Sequence, residues 1–170
     1  MKTSTQKEAP EGAPPKTRRL SQLLDLAWAA GFFDGEGCAT IARVKPGGRN
    51  VNGCYAMRLQ VSQVNPDPLV RMRELFGGSI GAKPPNNPRQ SPGHVWWLCG
   101  PAAADALRCM LPFLRLKGRV AALCIKFQST KRPRGGGARR AQCEVEADAR
   151  YYSLVAELNA RGPTNGKPHG

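Results

Sequence analysis

The stretch Trp28-Ala29-Ala30-Gly31-Phe32-Phe33-Asp34-Gly35-Glu36-Gly37 decides how this chain folds, and it closes an apolar segment that begins at Leu20. At helical period, Ala27, Ala30 and Gly31 fall on one face, and apolar side chains cover most of the remaining surface. A helix that is apolar nearly all round is buried, and small residues three or four positions apart allow a second helix to approach closely. We therefore predict a buried helix that packs through these three residues against another helix.

The end of this helix combines two glycines with two carboxylates. Gly35 and Gly37 tolerate the left-handed backbone of a C-cap, so we expect them to end the helix. Asp34 and Glu36 then lie beside backbone carbonyl groups that already carry partial negative charge. Such an arrangement is unfavourable unless a cation or a buried hydrogen-bond donor pairs with the carboxylates. We therefore expect a cation or a buried donor beside them.

The segment Ala29–Gly37 resembles the LAGLIDADG motif of homing endonucleases, with Gly31, Asp34, Glu36 and Gly37 at motif positions. The segment departs from the motif at two positions, because Ala29 replaces the leading Leu and Glu36 replaces the final Asp. The chain holds one copy of the motif. By this resemblance, one copy implies a homodimer, whereas two copies imply a pseudosymmetric monomer.

The charge balance is strongly basic, with 26 Lys and Arg against 12 Asp and Glu, a net charge of +14 and a pI of about 10.2. Such a balance favours a polyanion partner, most simply nucleic acid, although a generically basic protein such as a ribosomal one has a similar charge. The length of 170 residues is enough for one domain with a hydrophobic core.

The six cysteines are scattered without a Cys-x-x-Cys pair, and His94 and His169 are the two histidines, so we expect no zinc site. No apolar run reaches membrane-spanning length, and the N-terminus lacks a signal-peptide core. We therefore expect an intracellular protein with reduced thiols and no membrane partner. Its richness in Ala, Arg and Gly indicates a GC-rich genome, which is compatible with a prokaryotic cytoplasm or an organelle.

Patterning along the chain predicts an α+β fold. We expect a disordered basic arm over 1–19, one domain over 20–162 and a flexible tail over 163–170. After the first helix, the predicted elements are two strands, a helix, two strands and three helices: 38–45, 51–64, 66–76, 79–83, 94–99, 101–110, a helix ending near 128, and 142–159. The segments 76–80, 112–117 and 158–162 also resemble recurring segments of the family. The resemblance implies the αββαββα fold with a four-stranded antiparallel saddle sheet and C-terminal helices.

The second strand alternates apolar residues with Arg58, Gln60 and Ser62. A polar face of this kind is suited to base edges in a DNA major groove, although it is also what a solvent-facing sheet shows. The basic segment 129–140 is a candidate for phosphate contacts, with a plain solvated loop as the alternative. The candidate DNA-binding residues are Arg43, Lys45, Arg58, Gln60, Ser62, Lys83, Arg89, Arg132, Arg134 and Arg139.

The resemblance also implies the chemistry of the site. Glu36 is expected to bind a metal ion, with the Gly35 carbonyl as a second oxygen ligand, and oxygen ligands suit Mg²⁺. Gln63 corresponds to the polar residue that positions water, and Lys117 to the lysine that stabilises developing negative charge. Alternatively, Gln63 only satisfies backbone groups at a strand end and Lys117 is one more exposed cation. We expect Asp34 to be structural and to bond within a helix pair.

These features together predict a homodimeric, Mg²⁺-dependent DNA endonuclease that makes a double-strand break at a long near-palindromic site, for intron homing. An intron RNA maturase and a non-catalytic DNA-binding protein on the same scaffold are the alternatives. The presence of Glu36, Gln63 and Lys117 together favours the enzyme. A protein that only binds DNA has no need for a carboxylate directed at phosphate, because the two negative charges repel each other.

Overall fold

The computed structural model of the protein describes residues 15–45, 53–85, 89, 91–131 and 141–160, with side chains from Arg19 onward. Five α-helices and four strands occupy this part of the chain, and a 3₁₀ turn, Leu111–Phe113, joins the third helix to the fourth. The elements are α1 (Pro15–Glu36), β1 (Gly37–Val44), β2 (Cys54–Gln63), α2 (Asp67–Phe76), β3 (Ser79–Lys83), β4 (Gly93–Cys99), α3 (Gly100–Met110), α4 (Gly118–Ser129) and α5 (Gln142–Ala160). The predicted αββαββα order and α+β class are confirmed.

The sheet has the strand order β1-β2-β4-β3, and every neighbouring pair is antiparallel. The register aligns Gly37 with Val61, Val61 with Trp96, and Trp96 with Ile80, so one row of residues crosses all four strands on the same face. This inner face carries the buried side chains of the strands: Ala39, Ile41, Met57, Leu59, Val61, Trp96 and Leu98. The alternation predicted for the second strand is therefore confirmed.

The helices cover the inner face of the sheet and complete the core. Their fully or nearly buried side chains are small or apolar, and they come from all five helices: Ala29, Ala30, Phe33, Leu69, Met72, Ala103, Ala104, Leu107, Met110, Val120, Ala121, Cys124, Phe127 and Val155. Helix α5 also reaches the edge strand, because Asn159 Nδ2 donates a hydrogen bond to the Ala39 carbonyl oxygen at 3.0 Å. None of the described helices is long and apolar enough to cross a bilayer.

The boundaries of α1 differ from the prediction at both ends. The helix begins at Pro15 instead of Leu20, so five residues assigned to the disordered arm are helical. The predicted C-terminal tail, 163–170, lies outside the described residues. At the other end, Gly35 and Gly37 do not adopt the expected left-handed backbone. The helix continues to Glu36 and β1 starts at the next residue. Gly37 has a steric function, because a Cβ atom there would overlap the buried Phe33 ring.

The connection between α2 and β3 does use the left-handed region, at Gly77 (φ 76°) and Gly78 (φ 91°). The Gly77 carbonyl accepts a hydrogen bond from Trp96 Nε1 at 2.8 Å, which fixes the largest buried side chain of the sheet. A Cβ atom on Gly78 would lie 2.5 Å from the Trp97 carbonyl oxygen and 2.9 Å from Trp96 Nε1, whereas one on Gly77 would meet nothing within 4 Å.

This contrast makes a matched pair of variants. Gly77→Ala introduces only backbone strain, which we expect to lower the free energy of unfolding by about 1–2 kcal/mol. Gly78→Ala adds the overlap with backbone and with Trp96, and we expect a loss of at least about 3 kcal/mol. Chemical denaturation of both variants measures the difference. Equal losses would contradict the close packing of β4 against this turn.

Candidate active site at the end of α1

The Asp34 carboxylate joins the end of α1 to the loop that leads into α4. Its Oδ2 atom accepts hydrogen bonds from the backbone N–H groups of Arg115 at 2.5 Å and Leu116 at 3.1 Å, and its Oδ1 atom accepts one from Lys117 at 2.9 Å. Hydrogen-bond donors are therefore present beside this carboxylate, which is itself buried. They come from the chain's own loop, and not from a paired helix as we expected.

The same contacts set the ionisation of Asp34. Burial raises the pKa of the carboxyl group, but the hydrogen bonds from Arg115, Lys117 and Leu116, with the charge of Lys117, together outweigh burial and hold the pKa below its ordinary value of 3.8. The carboxylate is therefore ionised in the folded protein under ordinary conditions. An acceptor of full charge then meets three donors that the loop would otherwise leave unpaired.

Lys117 is held at the end of α1 and not freely exposed. The residue precedes the first turn of α4, and its Nζ atom donates a hydrogen bond to the Asp34 carbonyl oxygen. The side chain is half-buried. A cation at the C-terminal end of a helix interacts favourably with the helix dipole, so this position suits an ammonium group. The alternative of one more exposed cation does not describe Lys117.

Glu36 and Gln63 lie at the same end of the sheet as this loop. Glu36 is the last residue of α1, is exposed, and makes no hydrogen bond or ion pair within the described ranges. Gln63 is the last residue of β2, is half-buried, and pairs with His94. Gly37, the residue after Glu36, pairs with Val61, two residues before Gln63, so the end of α1 lies near the end of β2. The chain segments that carry the three predicted catalytic residues thus lie at one end of the sheet, where α1 and β2 end and α4 begins, and we call this place the junction.

A small cavity adjoins Gln63 and was not foreseen from the sequence. Its volume is about 150 Å³, and its lining comes from the end of β2 and from the β3–β4 connection: Ser62, Gln63, Val64, Lys83, Pro84, Ser91 and Gly93. The lining residues are mainly polar and include one cation. Gly93 allows the two segments to approach, because a Cβ atom there would lie 2.9 Å from the Gln63 carbonyl oxygen.

The outer face of the sheet carries four of the predicted DNA-binding residues, and each has the register of this face: Arg58, Gln60, Ser62 and Lys83. All four strands lack Asp and Glu. Trp97 also lies on the outer face, where it is half-buried, and it is not among the residues predicted to bind DNA. Strand alternation puts the side chains of Trp96 and Trp97 on opposite faces, and the structure shows that Trp96 is the core residue.

The remaining predicted DNA-binding residues have other positions. Arg43 was predicted to bind DNA together with the outer-face residues, but it pairs with Tyr55 and shares the register of the inner residues Ala39 and Ile41. Burial of Ala39 and Ile41 determines which alternate residues of β1 face inward, and Arg43 is one of them despite its charge. Lys45 follows β1 and Arg89 lies in the β3–β4 connection, and both are exposed. Arg132, Arg134 and Arg139 lie outside the described residues.

One face of α1 is open in the protomer. Its side chains include several large exposed apolar residues: Leu20 (57%), Leu23 (51%), Leu24 (62%) and Trp28 (40%). Ala27 and Gly31 belong to this face, and a Cβ atom on Gly31 or Gly35 would meet nothing within 4 Å. Ala30, the third residue of the predicted seam, is fully buried in the protomer's own core. That assignment was wrong because the core occupies the adjoining stripe of the helix.

The oxygen atoms at this helix end fit a hard divalent cation. The carboxylate of Glu36 is exposed and unpaired in the described structure, and the last carbonyl groups of a helix, including that of Gly35, have no partners within the helix. Mg²⁺ prefers oxygen ligands and retains several waters, so it requires few protein ligands. The part of the chain that the structure describes holds no cluster of three or more His, Cys, Asp or Glu residues arranged for a metal ion.

Solved homing endonucleases share this fold. The homing endonuclease I-CvuI, in complex with its target, has a TM-score of 0.65 and 22% identity, covering 89% of this chain and 88% of that one. The archaeal intron-encoded homing endonuclease I-Vdi141I, complexed with DNA, has a TM-score of 0.50 and 12% identity, covering 81% and 98%. The I-SmaMI LAGLIDADG homing endonuclease, bound to cleaved DNA, has a TM-score of 0.50 and 16% identity, covering 91% of this chain and 47% of that one.

No protein-family model and no curated protein sequence matches the chain. At the identities found among solved structures, the likeness establishes the fold. The chain therefore has the LAGLIDADG homing-endonuclease fold, as the resemblance of Ala29–Gly37 implied.

Asp34→Asn tests the contribution of the carboxylate at the α1 end. The neutral amide offers one acceptor oxygen to three donors, so we expect the free energy of unfolding to fall by about 2–4 kcal/mol near neutral pH. Because the folded pKa of Asp34 lies below 3.8, its contribution is present above that pH and is lost as the pH falls through the folded pKa. The variant and the wild type should therefore converge in acid.

Thermal unfolding across the acid range measures this convergence. Asp105→Asn is the matched control, because Asp105 is exposed and pairs only with Arg108 on the same helix surface. We expect a small and nearly pH-independent effect for the control. A constant gap between Asp34→Asn and the wild type down to strong acid would contradict the charged hydrogen bonds described here.

Proposed function

We propose that the protein is a homodimeric, site-specific DNA endonuclease that uses a divalent cation, most simply Mg²⁺. One observation carries this proposal: an exposed, unpaired carboxylate, Glu36, lies at the helix end where Lys117 is anchored and β2 ends at Gln63. The adjoining outer sheet face is basic and has no acidic residue in its strands. A protein that only binds DNA gains nothing from a carboxylate at this position, because phosphate repels it.

Each residue at the junction has a role in phosphodiester hydrolysis. The Glu36 carboxylate and the Gly35 carbonyl would hold the cation, which supplies Lewis acidity and lowers the pKa of bound water. The Lys117 ammonium group stabilises negative charge that develops on phosphate oxygens. Its hydrogen bond to the Asp34 carbonyl keeps it in position before the substrate arrives. The Gln63 amide can both donate and accept, so it orients water by hydrogen bonds.

Double-stranded DNA is the substrate that the surface favours. The net charge of +14 attracts a polyanion, and the outer face offers guanidinium, amide, hydroxyl and ammonium groups from Arg58, Gln60, Ser62 and Lys83. These groups can pair with base edges in a major groove. The structural neighbours I-CvuI, I-Vdi141I and I-SmaMI were each solved with DNA, which supports the same substrate class. For I-CvuI, the solutions contained Ca or Mg.

A second copy of this chain is the partner we propose for the open face of α1. Glycine inside a helix costs about 0.5–1 kcal/mol relative to alanine, and neither Gly31 nor Gly35 is required by packing within the protomer or by a positive φ. Close approach of a second α1 accounts for both glycines. The same contact covers the exposed leucines and Trp28. It brings two Glu36 residues together, one for each strand, and the two-fold symmetry requires a nearly palindromic target.

Intron homing is the biological role that we attach to this activity. The neighbour I-Vdi141I is described as intron-encoded, and a long near-palindromic target suits insertion at one genomic site. A maturase would use the same fold to bind intron RNA, and it becomes the leading alternative if the protein binds DNA without cutting it.

Glu36→Gln tests the enzyme directly. We expect the purified wild type with Mg²⁺ to cut a randomised DNA library at a near-palindromic site, and the variant to lose at least about three orders of magnitude in cutting rate. Binding of the selected site in Ca²⁺ should persist in the variant, because a neutral amide removes repulsion from phosphate. Glu146→Gln, at an exposed position on α5, is the control and should cut like the wild type.

The outcomes separate the candidate functions. Cutting lost only in Glu36→Gln establishes the nuclease and the role of this residue together. Specific binding without cutting by any of the three proteins overturns the enzyme and leaves a DNA-binding scaffold. In that case, binding to the host intron RNA would be measured next.

Gly31→Leu tests the dimer. The side chain has open space in the protomer, so the variant should fold, but it separates two α1 helices in the dimer. We expect sedimentation to show a dimer for the wild type and a monomer for the variant, with cleavage lost. Ala122→Leu, at an exposed helical position on α4, is the matched control and should remain dimeric. An unchanged dimer in Gly31→Leu would exclude the α1 face as the interface.

A further inference from the structure

Trp97 occupies an unusual place for a tryptophan, on the outer face of the sheet and opposite Gln60 in the register. The ring extends sideways over β3, because a Cβ atom on Gly81 would lie 3.0 Å from both its Cη2 and Cζ3 atoms. A larger residue at position 81 would lift the ring away from the sheet. The core does not require Trp97, since Trp96 fills it from the opposite face.

Arg58 lies beside this ring. Its guanidinium carbon is 5.8 Å from the centroid of the Trp97 ring, within the range of a cation–π interaction. The Nε atom of Arg58 is buried and has no hydrogen-bond partner among the described residues. Acidic side chains are absent from all four strands, so the neighbouring strands supply no carboxylate to fix the guanidinium. The indole ring is therefore the contact that orients it.

We propose that Trp97, seated on Gly81, positions Arg58 to read a guanine in each half of the DNA target. This inference rests on the proposed function, since it assigns sequence discrimination to the same sheet face. A planar guanidinium reads the O6 and N7 atoms of guanine through two parallel hydrogen bonds, so its orientation matters more than its charge. Holding that plane before binding reduces the rotamer entropy that Arg58 loses when it contacts the base.

Trp97 is accordingly a positioning residue, and its effect is distinguishable from that of a general DNA contact. Loss of a phosphate contact weakens binding to all sequences alike, whereas loss of Arg58 positioning weakens discrimination at one base pair. Two candidate base-reading residues lie near the Trp97 ring: Arg58, which favours guanine, and Gln60, which favours adenine. The ring contacts the guanidinium group of Arg58. The base pair affected by Trp97 is therefore the one that Arg58 contacts.

The experiment is a base-preference profile, measured by binding of the full-length protein to a library of single-substitution variants of its selected target. We expect the wild type to prefer G·C by about tenfold or more at one position of each half-site. Arg58→Ala should abolish this preference. Trp97→Leu should reduce it severalfold at the same position and leave the other positions unchanged, and the double variant should match Arg58→Ala alone.

Two further variants and one control variant keep the test independent of folding. Trp97→Phe retains a smaller aromatic face and should recover part of the preference, while Gly81→Leu should mimic Trp97→Leu by displacing the ring. Tyr152→Leu removes an exposed aromatic ring from α5 and should leave the profile unchanged. Thermal unfolding establishes that each variant is folded before its profile is compared.

The failures are distinguishable. A wild type that binds all DNA sequences equally contradicts the site-specific function and this inference with it. A specific wild type whose Trp97→Leu and Trp97→Phe variants keep the full preference at the Arg58 position overturns only the inference. A uniform loss of affinity across the profile, without a change at the Arg58 position, also overturns it, because Trp97 would then be a general DNA contact.

Discussion

Three backbone N–H groups converge on the Asp34 carboxylate, and the arrangement of the candidate site depends on this interaction. The carboxylate ends the first helix, and the donors belong to residues 115–117, so the contact joins parts of the chain about eighty residues apart. It fixes the start of α4, and with it the backbone of Lys117. Because the donors hold the carboxylate in its charged form, the contact is strong where an uncharged acceptor would be weak. Glu36, two residues later, is left exposed for other ligands.

The order and type of the elements could be predicted because they follow from local patterns. Short segments of sequence are enough to show the alternation in β2, the glycines after α2 and the apolar period of the helices. The partners of Asp34 could not be identified in this way, although the need for a donor could, because a loop distant in sequence supplies them. The predictions for Arg43, as a DNA-binding residue with the outer face, and for Ala30, as an interface residue, were wrong for a related reason. The face of the strand or helix on which each residue lies depends on which of its neighbours are buried in the core. The charge of Arg43 or the small size of Ala30 does not determine it.

The candidate site was predicted as a set of residue types, and the fold gives that set its geometry. Glu36, Gln63 and Lys117 are far apart in sequence, and the pairing of β1 with β2 and the loop at Asp34 bring the segments that carry them to the junction. Strand alternation predicts that Trp96 and Trp97 lie on opposite faces, but it does not decide which of the two is the core residue or whether the other is a surface residue. The role of Trp97 emerges from Gly81 on the neighbouring strand, which becomes informative once the register is known.

The hydrogen bond from Asn159 to the Ala39 carbonyl has a consequence for how copies of this chain can meet. An edge strand with free carbonyl and amide groups is a template on which another chain can extend the sheet. Asn159 of α5 occupies the Ala39 carbonyl group on this edge, so a strand added beside β1 would have to displace that hydrogen bond. The opposite edge, β3, has five residues and ends in a lysine, which also discourages strand addition. Addition of a further strand is thereby disfavoured at both edges of a sheet whose outer face stays open.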